Sequence, residues 1–445
     1  MPLELADLRE TPAAESLRRL DTLVSPYVGV VRGVREILCA PDDVRLANIF
    51  CETGHAGTLI GASNTHPGSG SGPGRAAARA AALGEAIERY SACYTGDSHV
   101  LATADELGER AVDPARFALF HAEQHAEKGF PYVPFSRATR IAWVRGRSLP
   151  DGEEAYLPAQ LVYLAWHRRR GEAAIGRSTS NGLACRATLG EAILTGLLEL
   201  FERDAFMITW NAQLSWPRLV WPESRELQAF ERRYLAPTGL RLSAIDLSAF
   251  WEVPCVLGVA RSSVAGEAPL GVGAGAGTTI ERAIEKALDE ALRVRSWARA
   301  IRTRDPKGAE VRTGSAIRAF DDHVRFYAYD ENARHAAFVD ASEVSRDVRD
   351  VRPLEPGVAS AIRALCGRLA ERRASAYAVD LTAPDVREAG LCVAKIVAPE
   401  LCALDVEHGA RYLGGRRLYD EPVRLGMRPG PLAPADVNPA PHPFP

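Results

Sequence analysis

The chain has no hydrophobic run of the roughly 20 residues that a membrane span needs, and its cysteines never form a Cys-x-x-Cys pair. The eight cysteines are scattered over 445 residues, which argues against a zinc site or a disulfide framework. Residues 1–20 lack the basic and apolar segments of a signal peptide. We therefore expect a cytoplasmic protein with reduced cysteines and no membrane contact.

An excess of charge of one sign is also missing. The formal net charge is -3, from 54 basic and 57 acidic residues, so the composition gives no basic field for a nucleic acid. No Gly-x-x-x-x-Gly-Lys-Ser/Thr sequence occurs, which excludes a P-loop. What remains is an ordinary globular composition in a chain long enough to bury a large core.

Three stretches rich in small residues stand immediately before helical patterns: residues 61–74, 177–190 and 271–277. We interpret all three as small-residue loops. The helices after them are predicted to begin near Arg75, to run from Leu189 to about Phe206, and to begin at an N-cap formed by Thr278 or Thr279. Apolar strand pairs are predicted in two further stretches, residues 240–262 and 374–402.

Acidic residues interrupt the apolar faces of these helices. The sequence Glu-x-x-Glu-Arg occurs on two of them: Glu85, Glu88 and Arg89 on the first helix, and Glu199, Glu202 and Arg203 on the second. On a helical wheel, Glu191, Glu199 and Glu202 share one narrow stripe of the second helix. The third helix adds Lys286 and Glu290, one turn apart.

Any one of these pairs, taken alone, is typical of a solvated surface ion pair that contributes little stability. On the second helix, however, like charges share a stripe and repel each other, so the stripe needs a cation. Mg²⁺ binds carboxylate oxygens while it bridges nucleotide phosphates. The pattern predicts Mg-nucleotide binding without a P-loop, in which Arg89, Arg203 and Lys286 contact the phosphates or hold the acids in place.

These residues, in this order and at these spacings, resemble the YcaO family from about residue 60 to the C-terminus. The matching set includes Ser180-Asn181-Gly182-Leu-Ala before the second helix. The resemblance implies an α+β, YcaO-type fold, in which mixed β-sheets are flanked by helices and the ATP site lies between helices. It also implies three segments: residues 1–60 as an N-terminal part of the same unit, residues 61–426 as the ATP-binding domain, and residues 427–445 as a proline-rich tail that reaches the active site.

The resemblance implies the roles of the individual residues as well. ATP and Mg²⁺ are expected to be bound by Glu85, Glu88, Arg89, Glu191, Glu199, Glu202, Arg203, Lys286 and Glu290. Among these residues, the expected Mg²⁺ ligands are Glu88, Glu199 and Glu202. Ser180 and Asn181 are expected to contact the nucleotide or the substrate.

The sequence departs from the family pattern at three places. Ala81 stands where the family usually has serine. Lys286 stands where arginine is usual, which keeps the charge but loses the bidentate guanidinium. The Ser-Asn-Gly-Leu-Ala sequence continues with Cys185-Arg186-Ala187-Thr188 instead of Gly-Asn-Thr. Because neither Glu-x-x-Glu-Arg sequence has lost an acid, we expect a competent ATP site.

The C-terminal sequence Pro441-His442-Pro443-Phe444-Pro445 resembles the Pro-x-Pro-x-Pro ending of the azoline-forming YcaO members. Taken alone, a proline-rich end is typical of a disordered tail or a docking peptide. The resemblance implies instead that the tail reaches the active site. There the carboxylate of Pro445 is expected to act as a catalytic group.

The reaction implied by the resemblance is ATP-dependent cyclodehydration of a ribosomally made, bacteriocin-type precursor peptide. A Cys, Ser or Thr side chain attacks the preceding carbonyl, its oxygen takes the γ-phosphoryl of ATP, and loss of phosphate leaves a thiazoline or a (methyl)oxazoline. Two alternatives stay open: a YcaO enzyme that forms a thioamide or a macrocyclic amidine, and a non-catalytic nucleotide-binding scaffold that supports a partner.

The resemblance also implies partners. The chain shows no zinc tetracysteine and no segment like an adenylating enzyme. We therefore expect a separate E1-like protein to bind the leader of the precursor peptide. A flavin dehydrogenase that oxidises azolines is a further expected partner, and we expect the chain to form a homodimer.

Overall fold

The computed structural model of the chain describes residues 10–38, 44–54, 67–96, 99–264, 267–305, 314 and 317–444. The chain divides into two compact units. Unit 1 comprises Met1–Ile37, Ala47–Leu200 and Glu355–Leu401, and unit 2 comprises Leu38–Leu46, Phe201–Leu354 and Cys402–Pro445. The division falls inside one long helix, between Leu200 and Phe201.

The described residues form the following helices, in chain order: α1 Ala13–Asp21, α2 Arg75–Cys93, α3 Ala104–Leu107, α4 Ala122–Ala126, α5 Ala159–Val162, α6 Leu189–Asn211, α7 Arg225–Phe230, α8 Ile280–Arg304, α9 Phe320–Tyr327, α10 Asp330–Ala333, α11 Val358–Glu371, α12 Pro384–Glu388 and α13 Arg416–Arg424. They form the following strands: β1 Val31–Ile37, β2 Ala47–Thr53, β3 Gly68–Gly72, β4 His99–Ala102, β5 Ile141–Ser148, β6 Glu154–Pro158, β7 Leu183–Arg186, β8 Arg218–Val220, β9 Arg241–Asp246, β10 Cys255–Arg261, β11 Leu270–Ala276, β12 Ser345–Asp347, β13 Tyr377–Asp380 and β14 Cys392–Val397.

The strands of unit 1 form two antiparallel sheets. The first has the order β1-β2-β3 and packs against α2. The second has the order β4-β5-β13-β14-β7, with β6 paired to β5. Unit 2 contains the sheet β11-β10-β9-β8-β12, in which β8 and β12 run parallel and the other described pairs are antiparallel. Helices that flank several separate sheets confirm the predicted α+β fold class.

The interpretation of the glycine-rich stretches as loops is wrong at two places, where the structure has strands. β3 lies within residues 61–74, and β11 covers most of residues 271–277. A Cβ atom at Gly70 would lie 2.3 Å from the Ala78 carbonyl oxygen on α2, and one at Gly273 would lie 2.4 Å from the Ala291 nitrogen on α8. Glycine is therefore needed because strand and helix backbones touch, and the same composition is typical of loops.

The stretch 177–190 is also a loop only in part, since β7 occupies its centre and pairs with β14. The predicted helices are confirmed at their starts. α2 begins at Arg75 and α6 at Leu189, although α6 continues beyond Phe206 to Asn211. Thr279 is the N-cap of α8, and its side chain accepts the Arg282 N–H. Both predicted strand pairs are present, as β9–β10 and β13–β14.

The two units repeat one arrangement: three antiparallel strands, β1-β2-β3 or β9-β10-β11, followed by a helix, α2 or α8. Each helix presents alanines at four-residue intervals to a glycine strand: Ala78, Ala82 and Ala86 on α2, and Ala283, Ala287 and Ala291 on α8. Because both helices approach their strands closely, the acid that precedes the third alanine of each set is held near the strand backbone.

Each unit has its own hydrophobic core. In unit 1, Leu83 and Ile87 of α2 are fully buried together with Val393 of β14. In unit 2, Ile284 and Leu288 of α8 are fully buried in a separate cluster. None of the helices formed by the described residues combines the length and the apolar character that crossing a membrane requires.

Candidate functional site

α2 carries the first group of predicted site residues. Glu85 accepts a hydrogen bond from the backbone N–H of Ser69 on β3, and its Oε1 lies 2.6 Å from Nη2 of Arg89. Arg89 also donates to the carbonyl oxygen of Pro67. The Glu85 and Arg89 side chains are each 28% exposed. This pair is therefore a half-buried ion pair anchored to β3, and it differs from the solvated surface pair that its spacing alone suggests.

Glu88 reaches β7 instead. Its Oε1 accepts the backbone N–H of Cys185 at 2.8 Å. Burial raises the pKa of Glu88 to about 8, against the lowering effects of the Arg186 charge and the Cys185 N–H. The negative charges of Glu199 and Glu85 also raise this pKa. A bound cation would favour the ionised form of such a carboxyl group.

Glu199 lies on α6 beside the segment 180–182. Its Oε2 accepts the backbone N–H of Gly182 at 3.2 Å. Gly182 has a φ of +75°, and a Cβ atom there would lie 2.4 Å from the Ile396 carbonyl oxygen, so only glycine fits. Of the two predicted contact residues in this segment, Asn181 is buried and Ser180 is half-buried.

Glu191 caps the start of α6. Its carboxylate accepts the backbone N–H and the hydroxyl of Thr188, both at 3.1 Å, and the backbone N–H of Thr11 at 2.6 Å. The Thr188 hydroxyl in turn accepts the Glu191 N–H at 3.2 Å. This exchange resembles a capping box, and the helix dipole stabilises a carboxylate at this end. The role of Glu191 in ATP or Mg²⁺ binding stays a prediction.

Glu202 is the fully buried acid of unit 2. Its Oε2 accepts hydrogen bonds from the Lys286 ammonium and the Ala276 N–H, both at 2.8 Å. Nη1 of Arg203 lies 3.5 Å from Oε1. Burial alone would raise the pKa of Glu202, but the charges of Lys286 and Arg203 and the two hydrogen bonds hold this pKa below its usual value. The Glu202 side chain is therefore a buried carboxylate.

α8 contacts β11 in the same way as α2 contacts β3, through a glutamate that accepts a backbone N–H of the strand. Glu290 accepts the backbone N–H of Ala274 on β11 at 3.0 Å and pairs with Arg293 at 3.3 Å. Glu290 thus matches Glu85, since each carboxylate accepts an N–H from a glycine-rich strand and pairs with an arginine one turn later. By the same correspondence, Lys286 stands four residues before Glu290 where Ala81 stands four residues before Glu85.

Asp204 anchors the middle of α6. Its fully buried carboxylate accepts the Cys402 N–H at 2.9 Å, the Trp251 indole N–H at 2.9 Å and an N–H of Arg417 at 2.7 Å. The Arg417 guanidinium also lies over the Trp251 ring, at 4.2 Å. This network fixes the rotation of α6, and with it the direction of Glu202.

The acids of α6 fit a divalent cation. Among the described residues no donor hydrogen-bonds to Oε1 of Glu202, although this oxygen is buried. Glu199 precedes Glu202 by one turn of the same helix. Carboxylate oxygens are the ligands that Mg²⁺ prefers, so the side chains of Glu199 and Glu202 are each of a suitable donor type, and their role as ligands stays a prediction.

The C-terminal tail packs into unit 2 beside α6. Phe444 is fully buried, and its ring lies 4.9 Å from the ring of Phe206. The Arg203 guanidinium lies over Phe444, with 4.2 Å between Cζ and the ring centroid. The tail therefore contacts the second Glu-x-x-Glu-Arg sequence. Pro445, the predicted catalytic residue, lies outside the described residues.

A buried histidine fixes the tail in place. Nδ1 of His442 accepts the Phe444 N–H at 3.3 Å, so Nε2 carries the proton and donates to the Asp405 carbonyl oxygen at 2.9 Å. The His442 ring stacks on His323 at 3.9 Å, and both nitrogens of His323 face the carbonyl oxygens of His442 and Val406. His323, Asp405 and His442 are residue types that bind metals. Their imidazole nitrogens, however, are engaged with the backbone, so the cluster anchors the tail.

Sequence reasoning missed Lys395 on β14. This lysine is buried, and its ammonium donates to the carbonyl oxygens of Thr179 and Asn181, both at 2.7 Å. The available signal was a single lysine inside the apolar run CVAKIVAP. Sequence reasoning also missed His323 and Asp405, which anchor the tail. The sequence around each residue does not indicate this role, because their partners are distant in the chain.

Residues 69–402 match the sequence model of the YcaO cyclodehydratase family, which is described as binding ATP and Mg²⁺. A curated relative, an uncharacterised protein of Methanothermobacter thermautotrophicus, is 28% identical over 235 residues. The matched region is 51% of this chain and 57% of that protein.

Solved structures are similar over the whole chain. A heterocyclase in complex with substrate and cofactor has a TM-score of 0.83 at 26% identity, and the heterocyclase TruD has a TM-score of 0.71 at 25% identity. Each match covers 100% of this chain, which spans 59% and 56% of those two proteins. The YcaO protein of Methanopyrus kandleri bound with AMPPCP and Mg²⁺ has the same fold, with a TM-score of 0.64 at 18% identity over 92% of this chain and 97% of that one.

The chain therefore spans little more than half the length of these two heterocyclases and of the curated relative. The family match nevertheless includes α2, α6 and α8, the three helices that carry the predicted acids. ATP and Mg²⁺ are the cofactors of that family. The chain belongs to the YcaO cyclodehydratase family.

Proposed function

We propose that this protein is an ATP-dependent cyclodehydratase that converts Cys, Ser or Thr of a ribosomally made precursor peptide to thiazoline or (methyl)oxazoline. The observation that carries the proposal is the placement of the tail, because Phe444 packs on Arg203, next to the buried carboxylate of Glu202. The similarity to heterocyclases over the whole chain, tail included, supports it.

Glu88, Glu199 and Glu202 are the proposed Mg²⁺ ligands. When bound, Mg²⁺ neutralises charge on the phosphate oxygens of ATP. Lys286 is paired with Glu202 and is half-exposed, so its ammonium is accessible to a phosphate without leaving the acid. Arg89 is tied to Glu85 and Pro67, and its proposed role is to fix the orientation of Glu85.

The proposed reaction removes the elements of one water from the peptide. The side-chain sulfur or oxygen of the substrate bonds to the preceding carbonyl carbon, and the former amide oxygen takes the γ-phosphoryl group of ATP. The C–O bond then breaks, and the products are the heterocycle, ADP and phosphate. Since amide oxygen is a poor leaving group, the phosphoryl group makes its departure possible, while the protein positions the reactants and neutralises charge.

The carboxylate of Pro445 is proposed to accept a proton from the attacking side chain or to orient the intermediate. We also propose the partners that the family resemblance implies: an E1-like protein that presents the precursor peptide, a flavin dehydrogenase that acts on the product, and a second copy of this chain in a homodimer.

Incubation with the E1-like partner, candidate precursor peptides, ATP and Mg²⁺ tests this proposal by mass spectrometry. The expected product has lost the mass of one water for each ring, with ADP released in step. A product peptide in which sulfur replaces a backbone carbonyl oxygen would identify a thioamide-forming enzyme. A ring that joins a distant amine would identify an amidine-forming enzyme. ADP release absent with every peptide that the partner binds would favour the non-catalytic scaffold.

A further inference from the structure

Lys395 is a buried lysine to which the proposed function gives no role. It is only 4% exposed, and its ammonium donates to the carbonyl oxygens of Thr179 and Asn181. Among the described residues, no carboxylate forms an ion pair with it, although the charge of Glu199 acts on it through space. An ammonium ion is unfavourable in such surroundings, so a position needed only for packing is better filled by methionine or leucine.

The direction of the two carbonyl groups explains why a hydrogen-bond donor is needed at position 395. Within one planar trans peptide unit, the C=O of a residue and the N–H of the next residue point in opposite directions. The Asn181 carbonyl faces Lys395, and the Gly182 N–H of the same unit donates to Glu199 on the other side. The Thr179 carbonyl also faces Lys395, so the N–H of Ser180 is directed away from Lys395.

We propose that Lys395 is a positioning residue, which turns the peptide units 179–180 and 181–182 so that the Gly182 N–H holds Glu199 in the orientation that Mg·ATP binding needs. This inference rests on the proposed ATP site and adds a residue to it. Lys395 acts on the nucleotide only through the segment 179–182 and Glu199.

Two features of the segment show why it needs such support. Gly182 has a left-handed backbone conformation, and the Ile396 N–H, next to Lys395 on β14, donates to the Gly182 carbonyl at 2.8 Å. β14 therefore holds the segment at three carbonyl groups: two through the ammonium and one through its own backbone. Burial lowers the pKa of Lys395 to about 7, while the Glu199 charge raises it. The amino group has enough N–H donors for both carbonyl oxygens in either protonation state.

The variant Lys395→Met tests the proposal, because methionine has a similar length but no donors. We expect faster hydrogen exchange at the Gly182 amide, measured by mass spectrometry on a peptide that covers residues 178–184. We also expect the KM for Mg·ATP to rise about tenfold, the scale of one lost hydrogen bond to a charged group. Val393→Ala on the same strand is the control, since it removes core packing but leaves the two carbonyl contacts intact.

The proposal would be overturned if the hydrogen exchange at Gly182 and the KM for Mg·ATP change no more in Lys395→Met than in Val393→Ala. If Lys395→Met does not fold, Lys395→Leu, which also has no donors, takes its place, with the same expected and contradicting results. The exchange measurement needs no turnover. A wild-type protein that releases no ADP with the partner and every peptide that the partner binds would therefore count against the proposed function, while the exchange rate at Gly182 still decides the role of Lys395 in holding the segment.

Discussion

At the scale of single residues, each carboxylate of the site meets a different partner. Glu85 pairs with Arg89, Glu202 pairs with Lys286 and Arg203, and Glu88 accepts a backbone N–H. The pKa of Glu202 is accordingly lowered, whereas burial raises the pKa of Glu88 to about 8. Helical spacing reveals the Glu85–Arg89 pair, but it does not reveal Lys286 and the Cys185 N–H, which lie on other elements.

Replacing Glu202 by glutamine is expected to abolish ATP turnover while the fold persists. Glutamine keeps the shape and can still accept the Ala276 N–H, but it removes the charge that pairs with Lys286 and that a metal ligand needs. We expect ADP release to fall by a factor on the order of a hundred or more, the scale of lost charge stabilisation at an active site. Glu199→Gln is expected to behave alike.

The matched control for this prediction is Glu371→Gln, at the exposed end of α11. Its ADP release and thermal midpoint are expected to equal those of the wild type. Full activity in both Glu199→Gln and Glu202→Gln would rule out these acids as Mg²⁺ ligands.

At the scale of elements, the glycine strands decide how the helices are placed. Gly70→Ala would put a Cβ atom 2.3 Å from the Ala78 carbonyl oxygen, so β3 and α2 must move apart. We expect a loss of about 1–3 kcal/mol in the free energy of unfolding, typical of overpacking. Denaturant titration measures this loss.

Gly367→Ala is the control, because nothing lies within 4 Å of a Cβ atom at this position in α11. Alanine has a higher helix propensity, so the control is expected to be unchanged or more stable by up to about 1 kcal/mol. Equal stability of Gly70→Ala and the wild type would contradict the close packing of β3 on α2.

The tail anchor predicts a pH dependence of stability. Burial lowers the pKa of His442 well below its usual value, and the charges of His323, His408 and Arg203 act in the same direction. The unfolded chain, with a histidine pKa near 6.5, binds the proton more readily, so the contribution of His442 is present above about pH 6.5 and is lost as the pH falls. Asp405 faces His442 with a pKa that burial raises to about 7.

Comparison with His442→Gln isolates this histidine. The stability advantage of the wild type over the variant is expected to shrink by about 1.4 kcal/mol for each pH unit below 6.5. Urea titrations at several pH values between 7.5 and 5.5 measure it. An advantage that stays constant or grows on acidification would show that His442 is protonated in the folded protein.

Removal of Pro441–Pro445 is expected to reduce cyclisation by a factor on the order of a hundred or more, while ATP still binds, because the deletion removes a proposed proton acceptor along with Phe444. Adding a few residues after Pro445 displaces its carboxylate and retains every proline. Normal cyclisation by the extended protein would refute the catalytic role of this carboxylate and leave the tail with a structural one.

The elements also show how far the sequence predicts this fold. Helix starts near Arg75 and at Leu189 and an N-cap at Thr278 or Thr279 are predicted from propensity and capping, and all three are confirmed, with Thr279 as the N-cap. β3 and β11 were predicted as loops because glycine favours both loops and close backbone contacts, and only the packed helix distinguishes the two cases. Likewise, the Glu-x-x-Glu-Arg spacing predicts the acids but not Lys395, whose partners are more than two hundred residues away in sequence.

In the molecule as a whole, one structural arrangement occurs twice. Each unit has an antiparallel strand triplet that ends in a glycine strand, followed by a helix with an acid on that strand's backbone. α6 carries Glu199 in one unit and Glu202 in the other. The family match extends over both units.

The proposed function requires the protein to activate a peptide amide oxygen with ATP. A precursor peptide that carries a heavy-oxygen label in the carbonyl preceding one Cys, Ser or Thr tests this activation. We predict that cyclisation with ATP and Mg²⁺ transfers the label to inorganic phosphate, one labelled oxygen for each ring. Label recovered in water, or retained in the cyclised peptide with unlabelled phosphate, would show that ATP does not phosphorylate the amide oxygen.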